Sequence, residues 1–257
     1  MSRLSSLPNA LQSAMVQGRA LKVIAGLNNF DAASVQRIAR AAAAGGADLL
    51  DLACDPALVR ATKAVAPKLP LCVSAVDPEL FPAAIEAGAV MAEIGNFDSF
   101  YAQGRVFSAS EVLELTRRSR ALLPGIALSV TVPHVLALDE QEQLAVDLAE
   151  AGADLIQTEG GTSARPFSPG VLGLIEKAAP TLAAAHAISR ALQAAGQDVP
   201  VLCASGLSSA TVPMALAAGA AGVGVGSAVN RLDDELAMIA VVRGLREAIG
   251  AVEAARV

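Results

Sequence analysis

Aromatic side chains are nearly missing from this chain, which has no tryptophan, one tyrosine and six phenylalanines among 257 residues. Stacking platforms for nucleobases or sugar rings are therefore few. Positive charge is short as well: 19 Lys and Arg stand against 25 Asp and Glu, a net charge of −6. With no basic patch, nucleic acid is a poor partner. Only three cysteines occur, Cys54, Cys72 and Cys203, far apart in apolar runs. That spacing fits neither a disulfide framework nor a zinc site, and it suits a reducing compartment. There is no H-x-x-H, C-x-x-C or clustered-Asp metal motif, and no Ser-His-Asp arrangement can be argued. The N-terminal stretch lacks the continuous apolar core of a signal peptide. The longest apolar stretch, Val212–Val229, is interrupted by glycines and reads as helix, turn and strand, not as a membrane span. The expectation is a cytoplasmic protein with no membrane and no nucleic-acid partner. A homo-oligomer is neither required nor excluded.

What the chain does have is apolar bulk, 54% of its residues, enough to bury a large core. A repeated punctuation organises it. Ala44-Gly45-Gly46-Ala47-Asp48, Glu86-Ala87-Gly88-Ala89-Val90, Glu150-Ala151-Gly152-Ala153-Asp154 and Ala218-Gly219-Ala220-Ala221-Gly222 are near copies. Each closes an alanine-rich helix with a glycine and opens an apolar strand. A βα unit repeated through the chain is what a barrel requires.

The strands are expected at Leu21–Ala25, Asp48–Ala53, Leu71–Val76, Val90–Ile94, Ile126–Thr131, Asp154–Thr158, Pro200–Ala204 and Gly222–Val225. Leu7–Gln17 reads as a helix that plugs the barrel bottom. Asp31, Pro56, Asp77-Pro78 and the Ser108–Glu111 capping box open helices. A long loop, Glu159–Gly170, precedes a short extra helix over Val171–Lys177, with the next helix starting near Pro180. Asp233 or Asp234 caps the last helix. The fold class is α/β, a (β/α)8 TIM barrel spanning residues 1–257 as one domain, with 1–20 as a helical extension. A doubly wound open sheet would need a switch point that the sequence does not offer.

Residues 200–232 carry the most specific signal. Two apolar strands end on small-residue turns, Ser205-Gly206 and Gly226-Ser227, which a βα array puts side by side at the barrel mouth. Backbone N–H groups in such turns can cradle a phosphate, helped by a short helix starting near Ser227. Gly160-Gly161-Thr162-Ser163 would form a third edge, with Gly161 as its contact. Ordinary tight turns are the alternative.

Strand alternation fixes which side chains face inward, because the outer face must be apolar to pack on helices. This puts Lys22, Asp51, Ser74, Glu93, Thr131, Gln157 and Glu159 inside. Ionised groups there are costly unless paired. Lys22, Asp51, Glu93 and Glu159 are the candidate catalytic set, as proton carriers. Flanking carboxylates raise the Lys22 pKa, which disfavours an imine-forming role. The alternative is an ion cluster that fills the barrel. Asn28 after strand 1, His134 after strand 5 and Arg165 in the strand 6 loop are candidate substrate contacts. No metal ligand is expected.

These residues also carry a resemblance. KVIAGLNNFD, DLACDP, LCVSAVDP, EIGNFDSFY, VTVPH, DLIQTEGGTS, TLAAAHAIS and LCASGLSSATVPMALAAGAAGVGVGSAVNRL resemble the hypothetical chloroplast open reading frame 23 family of cyanobacteria and algal plastids. The resemblance spans nearly the whole chain. It implies an aldolase-type barrel and a cyanobacterial cytoplasmic or plastid-stromal setting, and it supplies no reaction. The last segment also looks like phosphate-binding barrels more widely, a likeness of fold alone. The reading that results is a barrel holding a small phosphorylated ligand for proton-transfer chemistry on a sugar phosphate or related metabolite. The alternatives are a flavin mononucleotide (FMN) oxidoreductase and a non-catalytic sensor or assembly partner.

Overall fold

Eight parallel strands close on themselves in chain order, β1 Ala20–Ile24, β2 Leu49–Ala53, β3 Leu71–Ala75, β4 Met91–Ile94, β5 Ala127–Thr131, β6 Leu155–Gln157, β7 Val201–Ala204 and β8 Gly222–Val225, in a computed structural model. The structure describes residues 3–161 and 164–255. Closure is made where β1 pairs β8, with Ala20 opposite Gly222 and Val23 opposite Val225. The helices are α1 Asn9–Val16, α2 Ala32–Gly45, α3 Pro56–Val65, α4 Phe81–Glu86, α5 Asp98–Tyr101, α6 Ala109–Leu122, α7 Leu138–Glu150, α8 Gly170–Ala194, α9 Val212–Ala217, α10 Ser227–Asn230 and α11 Glu235–Ala255. The expected barrel is the fold found.

Local chemistry explains where helices start. The Asp31 carboxylate accepts from the Ala33 and Ser34 N–H groups, which lack partners within the helix. Asp55 does the same for Leu58, and Asp234 for Ala237. Leu21, Val23, Leu50, Leu52, Val73, Ile94, Leu128 and Val130 point outward into one buried apolar shell with the helices. A second apolar cluster fills the bottom of the barrel. There Leu49, Cys72, Met91, Ala127, Leu155 and Leu202 meet Leu11, Ala14 and Met15 of α1. The N-terminal helix is therefore the expected plug, and polar contents are confined to the upper half of the interior.

Two features differ from expectation. The split expected around Val171–Lys177 and Pro180 is absent, and α8 runs unbroken through Pro180. A proline inside a helix costs about 3 kcal/mol in a host without tertiary contacts. Here the next residue, Thr181, is fully buried, donates to the Ala204 carbonyl and bonds the Thr158 hydroxyl, so barrel packing holds the helix through the break. This helix is also long and apolar enough to cross a membrane by length and composition, although its anchoring residues are tied to β6 and β7. The second difference is α5, a helical turn within what reads in the sequence as the Gly95–Phe107 loop.

Candidate active site at the barrel mouth

The deepest polar layer is a saturated network. Lys22, Asp51 and Glu93 are at most 1% exposed. The Lys22 ammonium donates to Glu93 Oε2 at 2.6 Å and to Gln157 Oε1 at 2.9 Å, and faces Asp51 Oδ2 at 3.4 Å. Ser129 donates to Glu93 Oε2 at 2.7 Å and Gln157 Nε2 to Glu93 Oε1, also at 2.7 Å. Ser74 donates to Asp51 Oδ1. Asn96 closes the top, its Nδ2 donating to Asp51 at 3.2 Å and to Glu93 at 3.3 Å. Asn96 does this from a left-handed backbone, φ 61°. The preceding Gly95 is required because a Cβ there would stand 2.2 Å from Thr131 Oγ1.

Lys22 donates to two partners and pairs with a third, and every carboxylate oxygen of Asp51 and Glu93 accepts a hydrogen bond. Burial pushes the Lys22 pKa down, but the charges of Asp51 and Glu93 push harder, and the net direction is up. That direction holds the lysine as an ammonium and disfavours a nucleophilic role. Asp51 is the second carboxylate on one lysine. Burial pushes its pKa up, Lys22 pulls it down, and Glu93 adds to the rise, leaving it at about 6.

Above this layer opens a cavity of about 210 Å3 at the C-terminal strand ends. Its walls include Ile24, Asn96, Asp98, Gln157, Glu159, Ser205, Gly206, Gly226, Ser227 and Asn230. Of the expected catalytic set, Glu159 lines it, whereas Lys22, Asp51 and Glu93 do not. They lie beneath Asn96 and Gln157, as the floor. Ser205, Gly206, Gly226 and Ser227 line it together. Ser205 and Gly206 are both left-handed, φ 78° and 72°. Among the described residues, none accepts from the backbone N–H of Gly206 or Ser227.

Gly161 is brought to the same turn in a different role. A Cβ on Gly161 would lie 2.3 Å from Gly206 Cα, so the two loops touch backbone to backbone. Gly161 is buried by that contact and does not line the cavity. The rest of its expected edge, Thr162 and Ser163, lies outside the described residues. Asn28 and Arg165 are exposed and do not line the cavity. Asn28 sits on a turn whose polar work is done by Asn29, which bonds Ser34. Arg165 sits in a loop directed to solvent.

His134 stands behind the wall. Its Nδ1 is 3.2 Å from Glu159 Oε1 and 3.4 Å from Asp98 Oδ1. Tyr101 donates to Glu159 Oε1, and the Asp98 N–H donates to Glu159 Oε2 at 3.3 Å. Burial pushes the His134 pKa down, but the hydrogen bond to Glu159 and the charges of Glu159 and Asp98 carry it up overall. Burial and Glu159 likewise push the Tyr101 phenol up, so it stays a donor. Asp98 and Tyr101 both come from α5 and were not singled out in the sequence. Their signal was a lone acid and the only tyrosine in the loop after β4. The cysteines offer no nucleophile. Burial pushes Cys54 up to about 12 and Cys203 up to about 11.

A larger cleft, about 770 Å3, opens at the opposite end between α1, α8 and the start of β7. Among the described residues Asp198 is its one charged lining residue, beside neutral polar side chains such as Gln12, Gln193 and Gln197, so it lacks the paired carboxylates of the mouth.

Fold and site together define an aldolase-type (β/α)8 barrel with a polar mouth over a sealed ionic floor. The chain belongs to the family described as "Protein of unknown function (DUF561)", matched over residues 7–255. It is 41% identical over 236 residues to "Uncharacterized protein ycf23" of Cyanophora paradoxa, covering 90% of this chain and 93% of that one. That relative and the family agree with the resemblance read from the motifs. Among solved structures, it is similar in fold to a putative deoxyribose-phosphate aldolase from Toxoplasma gondii ME49, with TM-score 0.60, 17% identity, and 94% and 96% of the two chains covered. It is similar also to (S)-3-O-geranylgeranylglyceryl phosphate synthase from Thermoplasma acidophilum in complex with sn-glycerol-1-phosphate, with TM-score 0.60, 14% identity, and 96% and 100% covered. At these identities the likeness is one of fold.

Proposed function

We propose that the mouth binds a small phosphorylated metabolite and carries out proton-transfer chemistry on it. The observation that carries this reading is that the Ser205-Gly206 and Gly226-Ser227 turns line one cavity together with Glu159. Backbone N–H groups of Gly206 and Ser227 face a phosphate. Glu159, backed by His134 and Asp98, faces the organic part and exchanges a proton with it. Two fold neighbours, a putative deoxyribose-phosphate aldolase and a synthase in complex with sn-glycerol-1-phosphate, support a ligand of this size and charge.

The cavity size supports this reading over the flavin alternative. Drug-sized ligands occupy roughly 300–1,000 Å3, and the mouth is about 210 Å3. A three- to six-carbon phosphate suits that volume better than a tricyclic flavin on its ribityl chain. The test is Gly226→Asp. A Cβ at Gly226 meets nothing closer than 3.4 Å, so the fold should stand. The new carboxylate should abolish binding of inorganic phosphate measured by calorimetry. Equal phosphate affinity in the variant would overturn the cradle.

A further inference from the structure

We infer that Asp98, His134 and Glu159 are the protein ligands of a divalent cation at the edge of the mouth. The ligand atoms of the three residues lie within 4.8 Å of one another. The imidazole Nδ1 is 3.2 Å from one carboxylate and 3.4 Å from the other. A charge-assisted N–H···O bond is shorter, about 2.7–2.9 Å. Ligands held about 2.1 Å from a cation are about 3.0 Å apart at octahedral angles and about 3.4 Å apart at tetrahedral angles. The two separations at His134 suit neighbouring ligands around an ion, although the one to Glu159 is also within hydrogen-bond reach. The three residues come from loops after β4, β5 and β6, so no spacing motif announces them.

Charge balance points the same way independently. Asp98 and Glu159 line the cavity and, among the described residues, no lysine, arginine or histidine does. Lys22, just below, is already shared between Asp51 and Glu93. An anionic ligand entering this mouth would meet two carboxylates, with the His134 imidazole behind them. A divalent ion on that wall neutralises both carboxylates and gives the ligand an opposite charge to meet. Only this last point rests on the phosphate reading above, since the ligand geometry stands without it.

One imidazole nitrogen with two carboxylate oxygens selects a borderline first-row ion, Mn2+, Fe2+ or Zn2+, over Ca2+ or Mg2+. Three protein ligands leave positions open toward the cavity. His134 then positions the ion from behind the wall.

Mn2+ as its chloride is the direct probe, added to chelator-stripped protein while the free-ion paramagnetic resonance signal is followed. The site predicts uptake of one Mn2+ per chain without added phosphate. It predicts at least tenfold weaker uptake in both Glu159→Gln and Asp98→Asn, whose metal-free melting should match the parent. Asp98→Asn covers the case in which Glu159→Gln fails to fold. No uptake in the millimolar range, or uptake unchanged in the two variants, overturns the site. Phosphate bound by a protein that takes up no Mn2+ also overturns the site and leaves the phosphate cradle standing. Mn2+ taken up by a protein that ignores phosphate supports the site and sinks the phosphate reading instead.

Discussion

Lys22 shows how a single residue constrains the molecule. It is the one cation among two fully buried carboxylates, bonded to Glu93 and Gln157 and paired with Asp51. Removing one partner of a buried pair strands the others, at a cost of about 3–5 kcal/mol. Lys22→Met should therefore lower the urea midpoint by a loss of that size, although the side chain fits the space. Asp51 gives the pH signature. Its pKa is raised by burial to about 6, from a model-peptide value near 3.9. An acid with a raised native pKa supports the fold while protonated, and that support is lost as pH rises through the native value. Between roughly pH 4 and 7 the parent should lose stability relative to Asp51→Asn. Urea titrations of both proteins across that range check this, and parallel curves would count against it. The inward direction of Lys22, Asp51 and Glu93 was legible in the sequence, because alternation along an apolar strand leaves no other choice. Their part as a saturated floor was not. It depends on Gln157 and Asn96 reaching in from other strands and loops. Asn96 takes a left-handed conformation that no local rule demands.

At the scale of elements, strands and helix starts were legible, since glycine punctuation and capping side chains act within a few residues. Loops and breaks were less so. Pro180 reads locally as a helix start, yet Thr181 is held by β7 and β6 and carries α8 through it. The α5 turn owes its place to packing and to Glu159, which binds both Tyr101 and the Asp98 backbone. The turn after β6 meets the turn after β7 at the Gly161–Gly206 contact. Gly161→Ala would put a methyl 2.3 Å from Gly206 Cα. Moving one loop off the other should cost about 1–3 kcal/mol and weaken phosphate binding together with stability. That coupled loss distinguishes it from Gly226→Asp, which should lose binding and keep stability. Thermal melts alongside phosphate titrations of the two variants separate the cases.

For the whole molecule, the barrel has two unlike ends. Helix α1 seals the bottom with an apolar cluster, and polar side chains are gathered in the upper interior. A net charge of −6 and a carboxylate-bearing mouth make a cation or a strong backbone cradle necessary for any anionic ligand. The central claim is that the ligand enters at the C-terminal end, with its phosphate between the turns after β7 and β8. A crystal soaked with glycerol phosphate tests this most directly. The account predicts tetrahedral density within hydrogen-bonding distance of the Gly206 and Ser227 N–H groups, with the carbon chain running toward Glu159. Density in the cleft at the opposite end, or an empty mouth at saturating ligand, would contradict it.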